Sequence, residues 1–191
     1  MSGFNLSATL NIARLAFNPQ LCMPHQVIAT FNNLQVPISI PDSNIKAIVL
    51  DKDNCFAKAH DDKVWPEYHG KWEYLKREYP SASLLIVSNS AGTNDDKNHE
   101  QAKILEDKTG VRVLRHTTKK PGCHEEIMHY FKQQGVCEDP SQVAVIGDRL
   151  FTDMIMANIM GAKGIWVNVG VFQSNSLICK IERWWYSTFK T

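Results

Sequence analysis

The chain has 191 residues, of which 43% are hydrophobic, and its formal net charge is +1. This length and composition fit one globular domain with a sizeable core and a small appendage. A charge near zero argues against a nucleic-acid-binding protein that relies on a basic surface. The scattered cysteines show no Cys-x-x-Cys spacing, which favours a reducing compartment and argues against a zinc site. Because no apolar run approaches about 18 residues, we expect a protein that is soluble or peripheral to a membrane.

The N-terminal forty residues contain no Asp or Glu. A helical pattern there places apolar side chains around most of the circumference, with one stripe formed by Leu6, Leu10, Ala13 and Phe17. Such a helix packs on the protein body, on a sister subunit or on lipid, or belongs to a cleaved targeting segment. We therefore predict an N-terminal segment over residues 1–42, in which one more short helix is indicated by Val27, Ile28, Phe31 and Leu34.

The apolar run Ala47–Leu50 ends abruptly in Asp51 and Asp53. Its β-branched content and lack of charge predict a strand buried on both faces of a parallel sheet, and open α/β sheets place their sites at the carboxyl ends of strands. Residues two apart in an extended segment point the same way, so the two carboxylates can converge, and their hard oxygens suit Mg²⁺. An acidic turn after a strand would explain the same residues.

A second strand followed by polar residues is predicted at residues 84–87, which lead into Ser88 and Asn89. The hydroxyl, the amide and nearby backbone N–H groups can hold a phosphoryl oxygen, although an ordinary Ser/Asn turn fits as well. A third strand, residues 111–114, leads into Lys119, Lys120 and Pro121. An ammonium group there would offset the charge of a phosphoryl group, and a solvated basic loop is the alternative.

A fourth strand, residues 143–146, ends in Gly147 and Asp148, and Asp153 falls in the first turns of the next helix. Glycine lets the backbone turn tightly or approach a ligand closely. Helices predicted over residues 66–79, 95–108 and 123–134 separate the strands, and a fifth strand is predicted over residues 164–169. Regular alternation of strands and helices predicts an α/β protein with a doubly wound parallel sheet over residues 43–172.

The strand-end motifs, taken in order, resemble the signature motifs of the haloacid dehalogenase superfamily phosphatases. They are Asp-x-Asp, Ser-Asn, Lys-Pro and Gly-Asp-x-x-x-x-Asp, and the resemblance covers about residues 46–169. More narrowly, the sequence around Asp51, the Lys-Lys-Pro-Gly turn and Gly-Asp-Arg-Leu-Phe-Thr-Asp resemble the mitochondrial phosphatidylglycerophosphate phosphatases of fungi and plants. The resemblance implies a Rossmann-like haloacid dehalogenase fold. The resemblance also bears on a cap domain, which members of this superfamily often carry as an insertion after the first or third strand. Because no long insertion follows either strand here, we expect no cap domain and an open site.

The resemblance also implies a role for each motif. Asp51 would be the nucleophile, and Asp53 the general acid and then the base. Mg²⁺ would be bound by the Asp51 carboxylate, the Asp53 carbonyl and Asp148, with Asp153 assisting. Phosphoryl oxygens would be held by Ser88, by Asn89 and by Lys120, which is preferred to Lys119 because it precedes the proline. Two further residues, Lys52 and Arg149, are either contacts to a second substrate phosphate or exposed charges.

The expected function is dephosphorylation of phosphatidylglycerophosphate to phosphatidylglycerol, a cardiolipin precursor, by a peripheral protein on the matrix side of the mitochondrial inner membrane. The partners expected are an anionic phospholipid, the membrane surface and further copies of the chain, with no nucleic acid. The alternatives are a phosphatase for a soluble phosphomonoester and a non-catalytic membrane-associated scaffold.

The C-terminal residues 173–191 predict a Trp-rich helix, with Leu177, Ile181, Trp184 and Trp185 on roughly one side and basic residues nearby. This helix either anchors the protein at a membrane interface or docks its tryptophans on the sheet or on another subunit.

Overall fold

The computed structural model describes residue 15 and residues 18–190. Within the predicted N-terminal helix only Leu15 belongs to this part of the chain, where it is helical and buried. The rest of that prediction lies outside the described residues. Residues 18–42 pack against the rest of the protein, since Phe31, Leu34 and Ile38 are buried in the main core. The boundaries at residues 42 and 172 stay predictions.

A six-stranded, all-parallel sheet forms the centre of the protein. Its strands are β1 (Gln26–Ile28), β2 (Ala47–Leu50), β3 (Leu84–Ile86), β4 (Arg112–Val113), β5 (Val143–Gly147) and β6 (Lys163–Val167). They lie in the order β1-β6-β5-β2-β3-β4. With helices on both faces, this is the doubly wound parallel sheet that the sequence predicted, so the fold class is confirmed.

Longer helices follow or connect the strands. They are α1 (His69–Glu78), α2 (Glu100–Thr109), α3 (His124–Gln133), α4 (Ile155–Met160) and α5 (Leu177–Phe189). The first two begin later than predicted because 3₁₀ turns, Pro66–Tyr68 and Lys97–His99, precede them. Both turns lie within the segments predicted as helical, so the difference concerns the type of turn at the helix start.

The core has one layer on each face of the sheet because side chains alternate along β2. Ile48 and Leu50 face the layer that contains α1, α2 and the segment around Phe31. Ala47 and Val49 face the layer that contains α3 and α4. All of β2 is buried, as predicted from its uncharged sequence. This double burial holds the carboxyl end of β2 at a defined place on the sheet edge.

The short helix predicted from Val27 to Leu34 is wrong. Residues Gln26–Ile28 form the edge strand β1, which pairs in parallel with β6 so that Ile28 lies opposite Val167. Only a single 3₁₀ turn, Phe31–Asn33, follows. The apolar spacing suited a helix, but the open edge of β6 supplies backbone partners for an extended segment, and this pairing is invisible in local periodicity.

No inserted domain occurs within residues 18–190. The connection from β2 to α1 is a loop ending in one 3₁₀ turn, and residues 114–123 connect β4 to α3. This agrees with the prediction of a fold without a cap domain. In the same part of the chain, no helix has the length and apolar character needed to span a bilayer.

We predict that Phe31→Ala lowers the free energy of unfolding by about 3–5 kcal/mol. Phe31 is fully buried, and its ring lies 5.9 Å from Tyr68, 6.0 Å from Trp72 and 6.5 Å from Phe56, measured between centroids. Urea unfolding measures the loss. The control is Ile104→Ala on α2, where the side chain is 42% exposed and the expected change is within about 0.5 kcal/mol. A loss below about 1 kcal/mol for Phe31→Ala would contradict the packing described.

Candidate active site

Asp51 and Asp53 follow β2 at the carboxyl edge of the sheet but occupy different environments. The Asp51 backbone N–H donates to the Ile146 carbonyl oxygen at 2.9 Å, which extends the pairing of β2 with β5, and its side chain is buried. The Asp53 side chain is partly exposed, and its Oδ1 accepts from Lys52 Nζ and from the His60 backbone N–H, both at 2.8 Å. The two carboxylates are thus suited to different tasks.

A second acidic pair comes from the turn that follows β5. Asp153 lies in a π-helical turn, Leu150–Met154, and its Oδ2 accepts from the Arg149 backbone N–H at 3.1 Å. A Cβ atom at Gly147 would lie 2.3 Å from Asp153 Oδ2, so only glycine allows this approach. One carboxylate oxygen from each of Asp51, Asp148 and Asp153 lies within 4.8 Å of the others.

Lys120 joins this cluster from the loop after β4. Its buried ammonium group donates to Asp51 Oδ1, and to Asp153 Oδ1 at 2.7 Å. Asn89, at the end of β3, accepts from the Lys120 backbone N–H at 2.7 Å and so positions this residue. Lys119 points elsewhere and pairs with Asp95 at 2.6 Å. The structure therefore brings Lys120, rather than Lys119, to the Asp51 carboxylate.

Crowding and burial shift the proton equilibria of this cluster. Burial raises the pKa of Asp51 to about 7, and the Asp153 carboxylate adds to this rise against the opposing effect of Lys120. Burial, followed by the charges of Asp51 and Asp153, also raises the pKa of Asp148 well above its ordinary value. Although burial lowers it, the pKa of Lys120 is raised overall by the Asp153 and Asp51 carboxylates. Lys120 thus stays charged and offsets part of the repulsion.

The acidic cluster fits a cation. Carboxylate oxygens are hard ligands, and one oxygen from each of the three aspartates lies within 4.8 Å of the others, so the three converge on one small volume. Lys120 contacts Asp51 and Asp153, whereas the Asp148 Oδ2 accepts a neutral hydrogen bond from Asn54 Nδ2 at 3.2 Å. A bound cation would compensate the repulsion that the ammonium group leaves.

A cleft of about 490 Å³ opens over the cluster. Its lining contains most of the predicted site residues, namely Asp51, Asp53, Asn89, Lys120, Asp148, Arg149 and Asp153. A larger groove of about 730 Å³ lies between β4 and α3, but none of the predicted site residues lines it. The chemistry of the side chains, rather than cavity size, identifies the smaller cleft as the candidate site.

Two predicted substrate contacts do not line this cleft. Lys52 is buried, and its ammonium group donates to Asp53 Oδ1 and to the Asp61 carbonyl oxygen at 2.9 Å. The alternative of an exposed charge is therefore wrong, and the contact with a substrate phosphate stays a prediction. Ser88 is also buried, and its hydroxyl lies 3.0 Å from the Ser90 hydroxyl and accepts from the Ser90 backbone N–H. Both stand one layer behind the cleft surface.

Two residues that the sequence analysis did not select support the cluster. Asn54 adopts a left-handed conformation with φ of 59°, donates to Asp148 and accepts from the Phe172 backbone N–H at 3.0 Å. Its place directly after Asp53 was the available signal, since Asn tolerates this conformation. His116 has its ring nitrogens 2.7 Å from the Thr118 carbonyl oxygen and 3.0 Å from that of Ser88, so it links the loops after β3 and β4.

Glu182 on α5 was also missed. It is buried, and its carboxylate accepts from Arg149 Nε at 2.9 Å and from the Phe151 backbone N–H at 3.0 Å. It therefore holds both the guanidinium group that lines the cleft and the start of the π-helical turn. The signal in the sequence was that Glu182 is the single acidic residue of residues 173–191.

A doubly wound sheet that presents an Asp-x-Asp pair, a lysine and a second acidic pair at one edge defines a site of the haloacid dehalogenase type. Comparison with known proteins gives the narrower assignment. Residues 6–172 match the family described as mitochondrial PGP phosphatase, and the chain belongs to this family. The resemblance seen in the sequence is confirmed.

Several relatives carry the same designation. A mitochondrial phosphatidylglycerophosphatase of Saccharomyces cerevisiae is 55% identical over 183 residues, which cover 96% of this chain and 97% of the relative. A probable mitochondrial phosphatidylglycerophosphatase of Schizosaccharomyces pombe is 32% identical, over 91% of this chain and 87% of the relative. A phosphatidylglycerophosphate phosphatase of Arabidopsis thaliana, named chloroplastic and mitochondrial, is 33% identical over 74% of this chain and 39% of its own length.

We predict that Asp148→Asn stabilises the protein in EDTA-containing buffer above pH 7 by about 1–2 kcal/mol, because it removes a half-buried carboxylate that repels the buried carboxylates of Asp51 and Asp153. Folding raises the pKa of Asp51 to about 7, so the native protein loses stability as the pH rises through this value, and the variant should lose less. Thermal unfolding at several pH values tests this. Asp107→Asn, at an exposed position, is the control. A less stable Asp148→Asn protein would contradict the repulsion described.

We predict an energetic coupling of about 1–2 kcal/mol between Glu182 and Arg149 in a double-mutant cycle of unfolding free energies. The variants are Glu182→Gln, Arg149→Gln and the protein with both changes. The coupling is modest because the guanidinium group is partly exposed. A value near zero would mean that the ion pair does not tie α5 to the cleft.

Proposed function

We propose that this protein is a phosphatidylglycerophosphate phosphatase. It removes the terminal phosphate of phosphatidylglycerophosphate and leaves phosphatidylglycerol, a precursor of cardiolipin. Its membership of the family and its similarity to relatives named for this activity support the reaction and the substrate. The observation that carries the chemistry is the buried Asp51 carboxylate, in contact with Lys120 at the edge of the cleft.

In the first half of the reaction, Asp51 is the nucleophile. One of its oxygens bonds to phosphorus in line with the ester oxygen, and the bond between phosphorus and that oxygen breaks, giving an aspartyl-phosphate. Asp53 passes its proton to the leaving oxygen of phosphatidylglycerol. Its partial exposure at the cleft, with Oδ1 held by Lys52 and His60, suits a group that exchanges protons.

In the second half, Asp53 acts as a base. It takes a proton from a water molecule, whose oxygen attacks phosphorus and releases inorganic phosphate and the Asp51 carboxylate. Lys120 stabilises the negative charge on the phosphoryl oxygens throughout, since its ammonium group is held between Asp51 and Asp153. Asn89 fixes the Lys120 main chain, and the Ser88 hydroxyl, which accepts from the Ser90 backbone N–H, supports the loop that carries Asn89.

The cation in this proposal is Mg²⁺. It would be held by Asp51, Asp148 and Asp153, whose carboxylates lie close together, and by the Asp53 carbonyl oxygen. When bound, it would neutralise charge on the phosphoryl oxygens and on the cluster itself. Arg149 is the candidate contact to the second phosphate of the substrate, because its guanidinium group lines the cleft and is fixed by Glu182.

The proposed setting is the matrix face of the mitochondrial inner membrane, with the protein peripheral to the bilayer. This rests on the lipid nature of the substrate and on the mitochondrial designation of the relatives. Assembly into a homo-oligomer stays a prediction.

We predict that the full chain releases phosphate from phosphatidylglycerophosphate in detergent micelles with Mg²⁺ and not with EDTA. Asp51→Asn keeps the shape of the side chain but removes the nucleophile, so kcat should fall by at least about 10³-fold. Lys120→Gln should lower kcat by about 10²-fold or more. Its matched control is Lys119→Gln, which breaks only the pair with Asp95 and should leave kcat within about twofold.

The alternative functions give different results. Release from a soluble aryl phosphate but not from the lipid, still dependent on Asp51, would retain the chemistry and reject the lipid substrate. Vesicle binding without turnover of either substrate would favour the scaffold. An Asp51→Asn protein as active as the native protein would reject the mechanism.

A further inference from the structure

The C-terminal helix α5 has two apolar faces, of which one packs on the protein body and the other is exposed. The inner face packs on the body, where the Trp185 ring lies 6.1 Å from Phe151 and the Tyr186 ring 5.0 Å from Trp166, measured between centroids. The outer face carries Leu177, Ile181 and Trp184, which are 75%, 39% and 59% exposed. The spacing of i, i+4 and i+7 places these three on one stripe. The structure thus separates the two adjacent tryptophans, one inward and one outward.

The outer stripe lies beside the mouth of the candidate active site. Phe172, which is 52% exposed, lines the cleft, as do Ser176 and Cys179 at the start of α5. We call Phe172, Leu177, Ile181 and Trp184 the rim patch. Among the described residues, the other large exposed hydrophobic side chain is Ile104, on α2. Exposed large apolar side chains are therefore concentrated on Phe172, which lines the cleft, and on the outer face of α5, the helix whose start lines it. Such a concentration marks an interaction surface.

The exposed charges carried by α5 and its C-terminal end are all positive. Lys180 and Lys190 are exposed, and Arg183 is partly exposed with one N–H group donating to the Ser174 carbonyl oxygen at 2.9 Å. The single acidic residue of α5, Glu182, is buried against Arg149. Besides the neutral hydroxyls of Ser187 and Thr188, the exposed side of α5 therefore offers apolar and cationic groups and no carboxylate. Tryptophan and basic side chains together match the interface of a bilayer that contains anionic lipid.

Phe172 of the rim patch is connected to the acidic cluster through Asn54. The Phe172 backbone N–H donates to Asn54 Oδ1 at 3.0 Å, its ring packs edge-on against Trp65 at 5.3 Å, and Asn54 Nδ2 donates to Asp148. A surface bound by the rim patch would thus lie at a fixed distance from the acidic cluster.

We propose that the rim patch docks the mouth of the cleft on an anionic bilayer surface. This rests on the proposed function, because it gives the lipid substrate a route to Asp51 in which the acyl chains stay in the bilayer. Leu177, Ile181 and Trp184 insert among the acyl chains near the head groups, and Lys180 and Arg183 contact lipid phosphates.

The test uses the full chain with Leu177→Gln, Ile181→Gln and Trp184→Gln combined, which removes apolar surface from exposed positions of a helix. Ile104→Gln is the matched control. Flotation with vesicles of phosphatidylcholine, with and without phosphatidylglycerol, measures binding. We expect the native protein and the control to bind vesicles that contain phosphatidylglycerol, and the triple variant to bind at least about tenfold more weakly.

Activity measurements on micelles and on vesicles distinguish a failure of the docking proposal from a failure of the proposed function. The triple variant should match the native protein on micellar phosphatidylglycerophosphate, and lose at least about tenfold on the same lipid in vesicles. A native protein inactive on micelles would reject the proposed function, whereas flotation would still report on docking. Vesicle binding unchanged in the triple variant would overturn the docking proposal. The proposal would also be overturned if the triple variant retained vesicle binding but had a different oligomeric mass by light scattering. The rim patch would then be a contact between copies of the chain.

Discussion

The mutual repulsion of three crowded carboxylates, two of them buried and one half-buried, is the constraint on which the rest of the candidate site depends. Asp51, Asp148 and Asp153 come from two different strand ends, yet one oxygen of each lies within 4.8 Å of the others. Because Asp51 and Asp153 are buried, little solvent screens the repulsion among these carboxylates. Lys120 offsets part of the charge through Asp51 and Asp153, and the remaining charge is what a cation would neutralise. The uncompensated negative charge of the cluster thus favours binding of a cation, which phosphoryl transfer also requires.

The parallel sheet makes such a cluster possible because both of its faces are covered by helices. β2 is buried on both sides, so its carboxyl end can shift little, and the same holds for β5. The loops after these strands carry the reactive groups, while glycine at position 147 and a left-handed Asn54 permit the close approach. A rigid scaffold and special backbone positions at its edge therefore act together.

α5 connects the cleft to the outside of the protein although it lies beyond the residues matched by the family, 6–172. Its inner face fixes Arg149 through Glu182, and its outer face forms most of the rim patch. One amphipathic helix can serve both purposes because its apolar stripes lie on different sides. If α5 docks on a bilayer as proposed, the helix that fixes Arg149 also orients the cleft toward the lipid.

The alternation of strands and helices and the positions of Asp51, Asp53 and Asp148 at strand ends could be predicted from the sequence, because they depend on local apolar runs and on the two-residue period of a strand. Which of the neighbouring residues reach the cleft depends on long-range packing. It turned Lys120 inward and Lys119 toward Asp95, placed Lys52 behind Asp53, and separated Trp184 from Trp185. It also made a strand of Gln26–Ile28 and carried Glu182 to Arg149. The partners in these contacts are mostly distant along the chain, and local patterns contain no information about the free edge, the buried charge or the neighbouring helix that selects among them.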